Sequence, residues 1–520
     1  MSTKREEAEI SAISAQPPDL QLHNPPLLDL VPKIPEISPF ASRLMMSSPI
    51  VCPIKKAIII SMQSYSLQEE AHVDGRFMTK LDQQDAWLPI MESRNGNAYY
   101  SAFHTLCSGI GFQALVLPLA FTSLGWTWGT LGLSLVFIWQ MYTLLLLIKL
   151  HESESGTRYS RYLRLSMLAF GEKWGKLLAL FPTMYLSGGM TCVTLIMIGS
   201  GTMKIFFQII CGDTCNIYQP TTTEWYVVFT CFATVLAQFP NLNSIAGVSL
   251  IGAVTAISYC WLIWVVCVFK SRPLGISYDP LTAKYFDAKR IFTIFNAFGI
   301  IAFTFRGHNL VLEIQGTMPS NAKCPSRVPM WRGVKFAYAI IAMCLFPIAI
   351  GGYWAYGNLI PNGGMLNALY KYHADDTPRW LLGLTSLLVV INSLSSFQIY
   401  AMPVFDNLEL RYTSKANKPC PWWLRSGFRA AFGCLAFFIA VALPFLPSLA
   451  GLIGGISLPI TLAYPCFMWI LIKKPQKCTG IWYLNSVLGV LGMILSILVV
   501  TAAIRNIVTI GIEIHFFKPK

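Results

Sequence analysis

Charge is scarce in this sequence. Of 520 residues only 12% are Asp, Glu, Lys or Arg, against 54% hydrophobic residues, whereas a soluble domain carries roughly 25% charged residues. A soluble core could not hide so much apolar surface, so lipid is the expected solvent for most of the chain. Acidic residues thin out further along it: residues 1–95 hold 9 basic and 12 acidic residues, the remainder 30 basic and 13 acidic. The net charge of +14 therefore sits in loops between apolar runs, as membrane topology requires, and no nucleic-acid partner is expected. Metal-ligand clusters are also lacking. Most of the 14 cysteines sit singly inside apolar runs, such as Cys192, Cys260 and Cys344, where Cys is a small hydrophobe. Cys211 and Cys215 share a short polar loop without a second Cys or His pair, so no metal site is expected. They are either oxidised, if that loop faces outside, or two unpaired thiols. No apolar run follows a basic start in the first 40 residues, so no signal peptide is expected and the first membrane helix must direct insertion.

What is present divides the chain in two. Residues 1–95 are polar and interrupted by nine prolines from Pro17 to Pro53, which reads as a disordered cytoplasmic tail. Its Ser38-Pro39 and Ser48-Pro49 pairs suit a kinase acting on the tail, or are ordinary linker residues. Residues 96–520 form an all-α membrane domain. Apolar runs long enough to cross a bilayer recur at 98–121, 126–149, 177–209, 225–241, 245–269, 291–315, 333–356, 379–405, 427–447, 449–472 and 486–510, about eleven transmembrane helices. Gly247 and the Pro444–Pro447 pair are the reasons for splitting the two closest pairs. Basic loops at 150–176, 316–332, 406–426 and 473–478 place the N-terminus in the cytoplasm. One loop disagrees: 270–290 should lie outside, yet holds Lys270, Arg272, Lys284, Lys289 and Arg290.

Two spans look broken. The first contains Ser108-Gly109-Ile110-Gly111 and then Pro118; the sixth contains Gly299 and then Phe303-Thr304-Phe305-Arg306-Gly307-His308. They open the two successive groups of five spans, and glycine-interrupted segments at matching positions of two halves point to a transporter substrate site. Freed N–H groups can bind a carboxylate and freed carbonyls an ammonium, or the glycines only let helices pack closely. Gly109-x-Gly111-x-x-Ala114 matches a dinucleotide fingerprint but follows no strand and has no acid about 20 residues on, so no nucleotide cofactor is expected. Ionisable groups inside spans are expensive and usually functional. The sixth span has Arg306, His308 and Glu313. Arg306 could pair with a substrate carboxylate or with Glu313, and His308, taken as the only histidine within a span, or Glu313 could carry a coupled proton. The polar stripe from Asn392 to Gln398 either faces the cavity or bonds neighbouring helices, and Tyr185, Gly188 and Thr191 are weaker candidates of the same kind. Lys204 and Arg505 lie near span ends, where they would snorkel. No nucleophile motif accompanies these groups, so an enzyme is not expected.

These residues resemble a family. Gly307-His308-Asn309 with Val311-Leu312-Glu313-Ile314-Gln315 is similar to the sixth-span signature of plant lysine-histidine transporters, within the amino acid/auxin permease group. Pro329–Val334, Tyr353–Asn358 and Gln398–Asp406 continue it, and the resemblance runs from about 95 to 510. It implies a LeuT-type five-plus-five inverted repeat plus one helix, and proton-coupled amino acid uptake at the plasma membrane. By that resemblance the backbone of Ser108, Gly109, Ile110 and Gly111 would bind the substrate carboxylate and amine, and the segment from Phe303 through Thr304 and Arg306 to Gly307 would shape the side-chain pocket. The sequence departs from the family pattern at Ile300, where relatives have Asp, and at Arg306, where they have a small residue. A gained cation and a lost anion favour neutral or acidic over basic amino acids, because two charges at close range in a low-dielectric site interact by several kcal/mol. An auxin-like carboxylate and a non-transporting sensor are the alternatives.

Overall fold

A computed structural model of the protein describes residues 85–153, 156–212, 220–279, 288–305, 307, 310–321, 324–444, 450–510 and 517. All belong to one compact unit, Met78–Lys520. Ser38, Ser48, Cys215, Arg306 and His308 lie outside the described residues.

The first helix, α1 (Ala98–Gly109), starts where the Asn97 side chain accepts the Tyr100 N–H at 2.9 Å, satisfying a donor that the helix itself leaves unpaired. It ends at Ile110, whose backbone is extended (φ −115°, ψ 114°). A single turn, α2 (Gln113–Val116), leads into α3 (Pro118–Leu150). Pro118 stands in the first turn of α3, where its missing N–H costs nothing. Inside α3, Gly125 holds φ 69° and ψ −174°, a conformation L side chains avoid. The helix bends there, and the first expected span passes into the second at this glycine.

Then come α4 (Tyr162–Phe170), α5 (Glu172–Leu180), a π-helical stretch Phe181–Met190, α6 (Thr191–Cys211), α7 (Thr222–Leu236) and α8 (Ala246–Phe269). The second half holds α9 (Ala288–Thr304), α10 (Val311–Gly316), α11 (Arg327–Tyr356), α12 (Met365–His373), α13 (Arg379–Ala416) and α14 (Trp422–Ala442). Last are α15 (Ala450–Leu458), which continues through a π stretch into α16 (Tyr464–Lys473), and α17 (Gly480–Ile510). Among the described residues, eight helices are long and apolar enough to cross a membrane. Of the expected spans, the first and sixth fall short because each is broken, and the fourth is the 15-residue α7.

Two sequence expectations about boundaries need correction. Gly247 does not divide the fourth and fifth spans, since it lies within α8. The chain turns at Pro240–Ser244, where the Ser244 N–H donates to the Asn241 side chain at 2.9 Å and the Asn241 N–H to Ser244 Oγ at 3.2 Å. The eighth span does not end at 405. It runs to Ala416 and stops at left-handed Asn417 (φ 52°), so Asp406 and Glu409 are helical and buried rather than in a loop.

The two broken helices run past each other in opposite chain order. α2 touches α9, and α1 touches α10. Around them, α1 packs on α8, α11 and α13, and α9 on α3, α15 and α17. Gly299 serves that packing: a Cβ there would stand 2.8 Å from Val499 and 2.9 Å from the Gly451 carbonyl. Leu435, Phe438, Val487, Ile494 and Ile497 are exposed on α14 and α17, an apolar outer surface suited to lipid.

Residues 270–279 of the loop with the unexpected cations gather with residues 354–376. The Asn358 N–H donates to the Ser277 carbonyl at 3.0 Å and Tyr278 Oη to the Trp354 carbonyl at 2.5 Å. Lys270 Nζ donates to the Asp376 carbonyl, and the Arg272 guanidinium lies 4.7 Å from the Trp354 ring. Lys270 and Arg272 are thus held at that end of the bundle by local contacts.

Candidate functional site

The breaks meet backbone to backbone. A Cβ on Gly307 would stand 2.9 Å from the Ser108 carbonyl oxygen, and one on Gly109 would stand 2.7 Å from Ile341 Cδ1. Beside them lies a cavity of about 20 Å3, lined by Thr105, Ser108, Gly109, Leu144, Phe305, Gly307, Val311, Ile314, Tyr338 and Ile341. That is room for about one water. Its walls are mostly apolar with a polar share around Thr105, Ser108 and Tyr338, and the Thr105 hydroxyl is buried without a hydrogen-bond partner among the described residues. Of the expected substrate-binding residues, Ser108, Gly109 and Gly307 line this cavity. Ile110, Gly111, Phe303 and Thr304 are buried nearby but outside its lining. Phe303 stacks edge-on against Phe112 across the two broken helices at 5.9 Å, and the Thr304 hydroxyl donates to Ile300 of its own helix at 3.0 Å.

The carbonyls released by the first break are taken up by α13. Ser396 Oγ donates to the Cys107 carbonyl at 3.0 Å, Tyr400 Oη to the Ser108 carbonyl at 2.8 Å, and Asn392 Nδ2 to the carbonyls of Gly252 at 3.0 Å and Ile110 at 3.4 Å. Gln398 Nε2 reaches the Ala233 carbonyl at 2.9 Å. The polar stripe on the eighth span thus bonds neighbouring helices, supplying donors that buried backbone would otherwise lack. Tyr185 is exposed, so it does not reach this site, whereas Gly188 packs against Val404. His308 is not the only histidine within a span: His104 on α1 is fully buried, with Nδ1 2.8 Å from Ser249 Oγ and Nε2 unpartnered among the described residues.

A second polar cluster joins Asp85, the start of α4 and α13. Arg161 Nε donates to Asp406 Oδ2 at 2.6 Å, and its Nη1 to Asp85 Oδ1 at 2.8 Å. Arg164 also pairs with Asp85. Burial alone would lower the Arg161 pKa, but the two carboxylates outweigh it and hold the value above its ordinary range, so Arg161 stays charged. A turn further along α13, Glu409 pairs with Arg425 at 3.0 Å and Arg429 at 3.6 Å. Leu88, Ile90 and Met91 are buried under this cluster, so residues 85–96, polar by composition, pack with the bundle. Burial, reinforced by Arg158 and Arg94, pushes His151 well below its ordinary pKa, so it stands neutral here.

Residues 94–508 match the family model described as transmembrane amino acid transporter protein. The chain belongs to that family. It is 58% identical to lysine histidine transporter-like 8 of Arabidopsis thaliana over 91% of this chain and 89% of that protein. It is 44% identical to lysine histidine transporter-like 7 of the same plant, over 84% and 90%. Among solved structures, the nucleobase-cation-symport transporter Mhp1 aligns with TM-score 0.53 at 11% identity, covering 83% of this chain and 97% of that one. MhsT in complex with L-phenylalanine aligns with TM-score 0.50 at 13% identity, covering 78% and 98%. The transporter therefore has the LeuT-type fold that its paired breaks suggest.

Within this transporter, sequence reasoning missed Asp85, Arg161, Asp406 and Glu409. Asp85 falls in the stretch that reads as tail, and the acids sit where a loop is expected. The i, i+3 spacing of Asp406 and Glu409 on one helical face is the signal that could have found them.

Proposed function

We propose that this transporter is a proton-coupled symporter that imports neutral or acidic amino acids by alternating access, from a plasma-membrane location with its N-terminus in the cytoplasm. The observation that carries the reading is the contact of Gly307 with the Ser108 carbonyl beside a cavity walled by both breaks. Unwound backbone at the crossing of two broken helices suits a carboxylate and an amine, as in other carriers with discontinuous helices, with the α13 donors that hold the Cys107, Ser108 and Ile110 carbonyls in this state giving way to the substrate. The apolar walls from Leu144, Phe305, Val311, Ile314 and Ile341 favour a neutral substrate side chain over a basic one, since burying an unpaired ammonium is costly. A cavity this small is a closed state, so substrate entry requires the helices to part. Arg306 adjoins Phe305 and Gly307 in sequence, and an added cation there discriminates against lysine. His308 and Glu313 are the groups that could take the coupled proton.

A carboxylate with an aromatic ring but no amine is the second reading, favoured by Phe305 and Tyr338 in the wall. Labelled amino acid uptake in transport-deficient cells, with basic, neutral and acidic amino acids and indole acetic acid as competitors, separates the two. Competition by neutral or acidic amino acids, relaxed toward basic ones in Arg306→Ala, is expected. Unchanged preference in that variant would remove the argument from Arg306. Binding without flux would make the protein a sensor.

A further inference from the structure

Glu313 lies on α10, just beyond the second break, and is 4% exposed. Its Oε1 accepts the Tyr162 N–H at 3.3 Å, while Oε2 has no hydrogen-bond partner among the described residues. It lines a cavity of about 10 Å3 with Ile90, Leu242, Ile399, Met402 and Pro403, scarcely room for one water. An ionised carboxylate is poorly satisfied in such surroundings.

The charged neighbours are already committed. Arg161, which adjoins Tyr162, and Asp406 of α13 both act on the Glu313 charge. Arg161 is bonded to Asp406 and Asp85, and Arg164 to Asp85. The Tyr162 hydroxyl donates to the Ile460 carbonyl at 2.9 Å. Glu409 belongs to Arg425 and Arg429, and His308 lies outside the described residues. Two guanidinium groups thus face two carboxylates, and the cluster is neutral without Glu313. A protonated Glu313 preserves that balance in the buried state, whereas an ionised one leaves a net negative charge.

We propose that Glu313 carries the coupled proton, held while the Asp85–Arg161–Asp406 bridge is closed and released to water when that end opens. This deepens the symport reading above and rests on it. The proton leaves the carboxyl as its conjugate carboxylate is hydrated, so proton binding and closure of the bridge favour each other by linkage. Closure at one end then accompanies loading, and opening accompanies discharge on that side. A mobile carboxylate alone would leak protons; the opening and closing of the Arg161 bridge tie its ionisation to the conformational step.

The test uses the full chain in liposomes. Wild-type protein should accumulate substrate under an inward proton gradient and admit protons with it. In Glu313→Gln the ratio of uptake with and without the gradient should fall to about one, while tracer exchange of substrate continues, since exchange needs no net proton movement. Arg164→Gln removes one positive charge from the cluster, so the midpoint of acid stimulation should move upward by about one pH unit. Gradient-driven uptake by Glu313→Gln would overturn the inference alone. Loss of exchange as well, in protein that elutes as the wild type does, would make Glu313 structural and also overturn it, as would an unmoved midpoint in Arg164→Gln. A wild type indifferent to the gradient would overturn the symport reading itself, and this inference with it.

Discussion

Gly307 rests against the Ser108 carbonyl so closely that a methyl group there would stand 2.9 Å from the oxygen. The contact joins the two halves of the transporter at their breaks. Gly307→Ala must push the breaks apart, at a cost of about 1–3 kcal/mol for overpacking. Substrate uptake should fall at least severalfold with protein of normal abundance. Wild-type uptake kinetics in that variant would show that the contact is incidental to the site.

Tyr400 donates to the same carbonyl. Tyr400→Phe removes the 2.8 Å hydrogen bond to Ser108 and should lower stability by about 1–3 kcal/mol, because the carbonyl is left buried and unpaired. Thermal unfolding in detergent measures it. Asn392→Ala should cost less, because the Gly252 carbonyl keeps the Thr255 hydroxyl at 3.0 Å and only the longer 3.4 Å bond to Ile110 is lost without a substitute among the described residues.

The breaks were legible in the sequence and the Arg161–Asp406 bridge was not, for one physical reason. A broken helix leaves a local signature, because Gly109, Gly111 and Gly307 are close in the chain to the residues they release. The polar stripe from Asn392 to Gln398 was visible for the same reason, though only the structure shows that it bonds the first span instead of facing the cavity. Arg161 and Asp406 are separated by 245 positions, and nothing local marks their pairing. Gly299 and Tyr185 mislead in the opposite sense. Glycine in a span signals close packing as readily as a break, and a Tyr among apolar residues can face outward.

Arg161→Ala should weaken closure at its end more than it weakens the rest of the bundle. It leaves Asp406 buried with no cation within pairing distance among the described residues, a situation that costs about 3–5 kcal/mol. Unfolding temperature should drop, and the double variant Arg161→Ala with Asp406→Ala should regain part of the loss. Independent, additive losses in the double variant would show that the pair is not energetically coupled.

Cys211 is disulfide-bonded, at the end of α6 where Arg379 Nη1 approaches Gly212. A disulfide persists in an oxidising compartment, so this end is expected to face outside. In intact cells, an impermeant maleimide should label Cys211 only after reduction. Labelling that requires permeabilised cells would invert the topology.

The most direct test of the central claim is labelled neutral amino acid uptake into proteoliposomes holding only this protein, with and without an inward proton gradient and a protonophore. Accumulation above the external concentration that needs the gradient and collapses with the protonophore is the result expected. Entry that only equilibrates, with or without the gradient, would contradict proton-coupled symport.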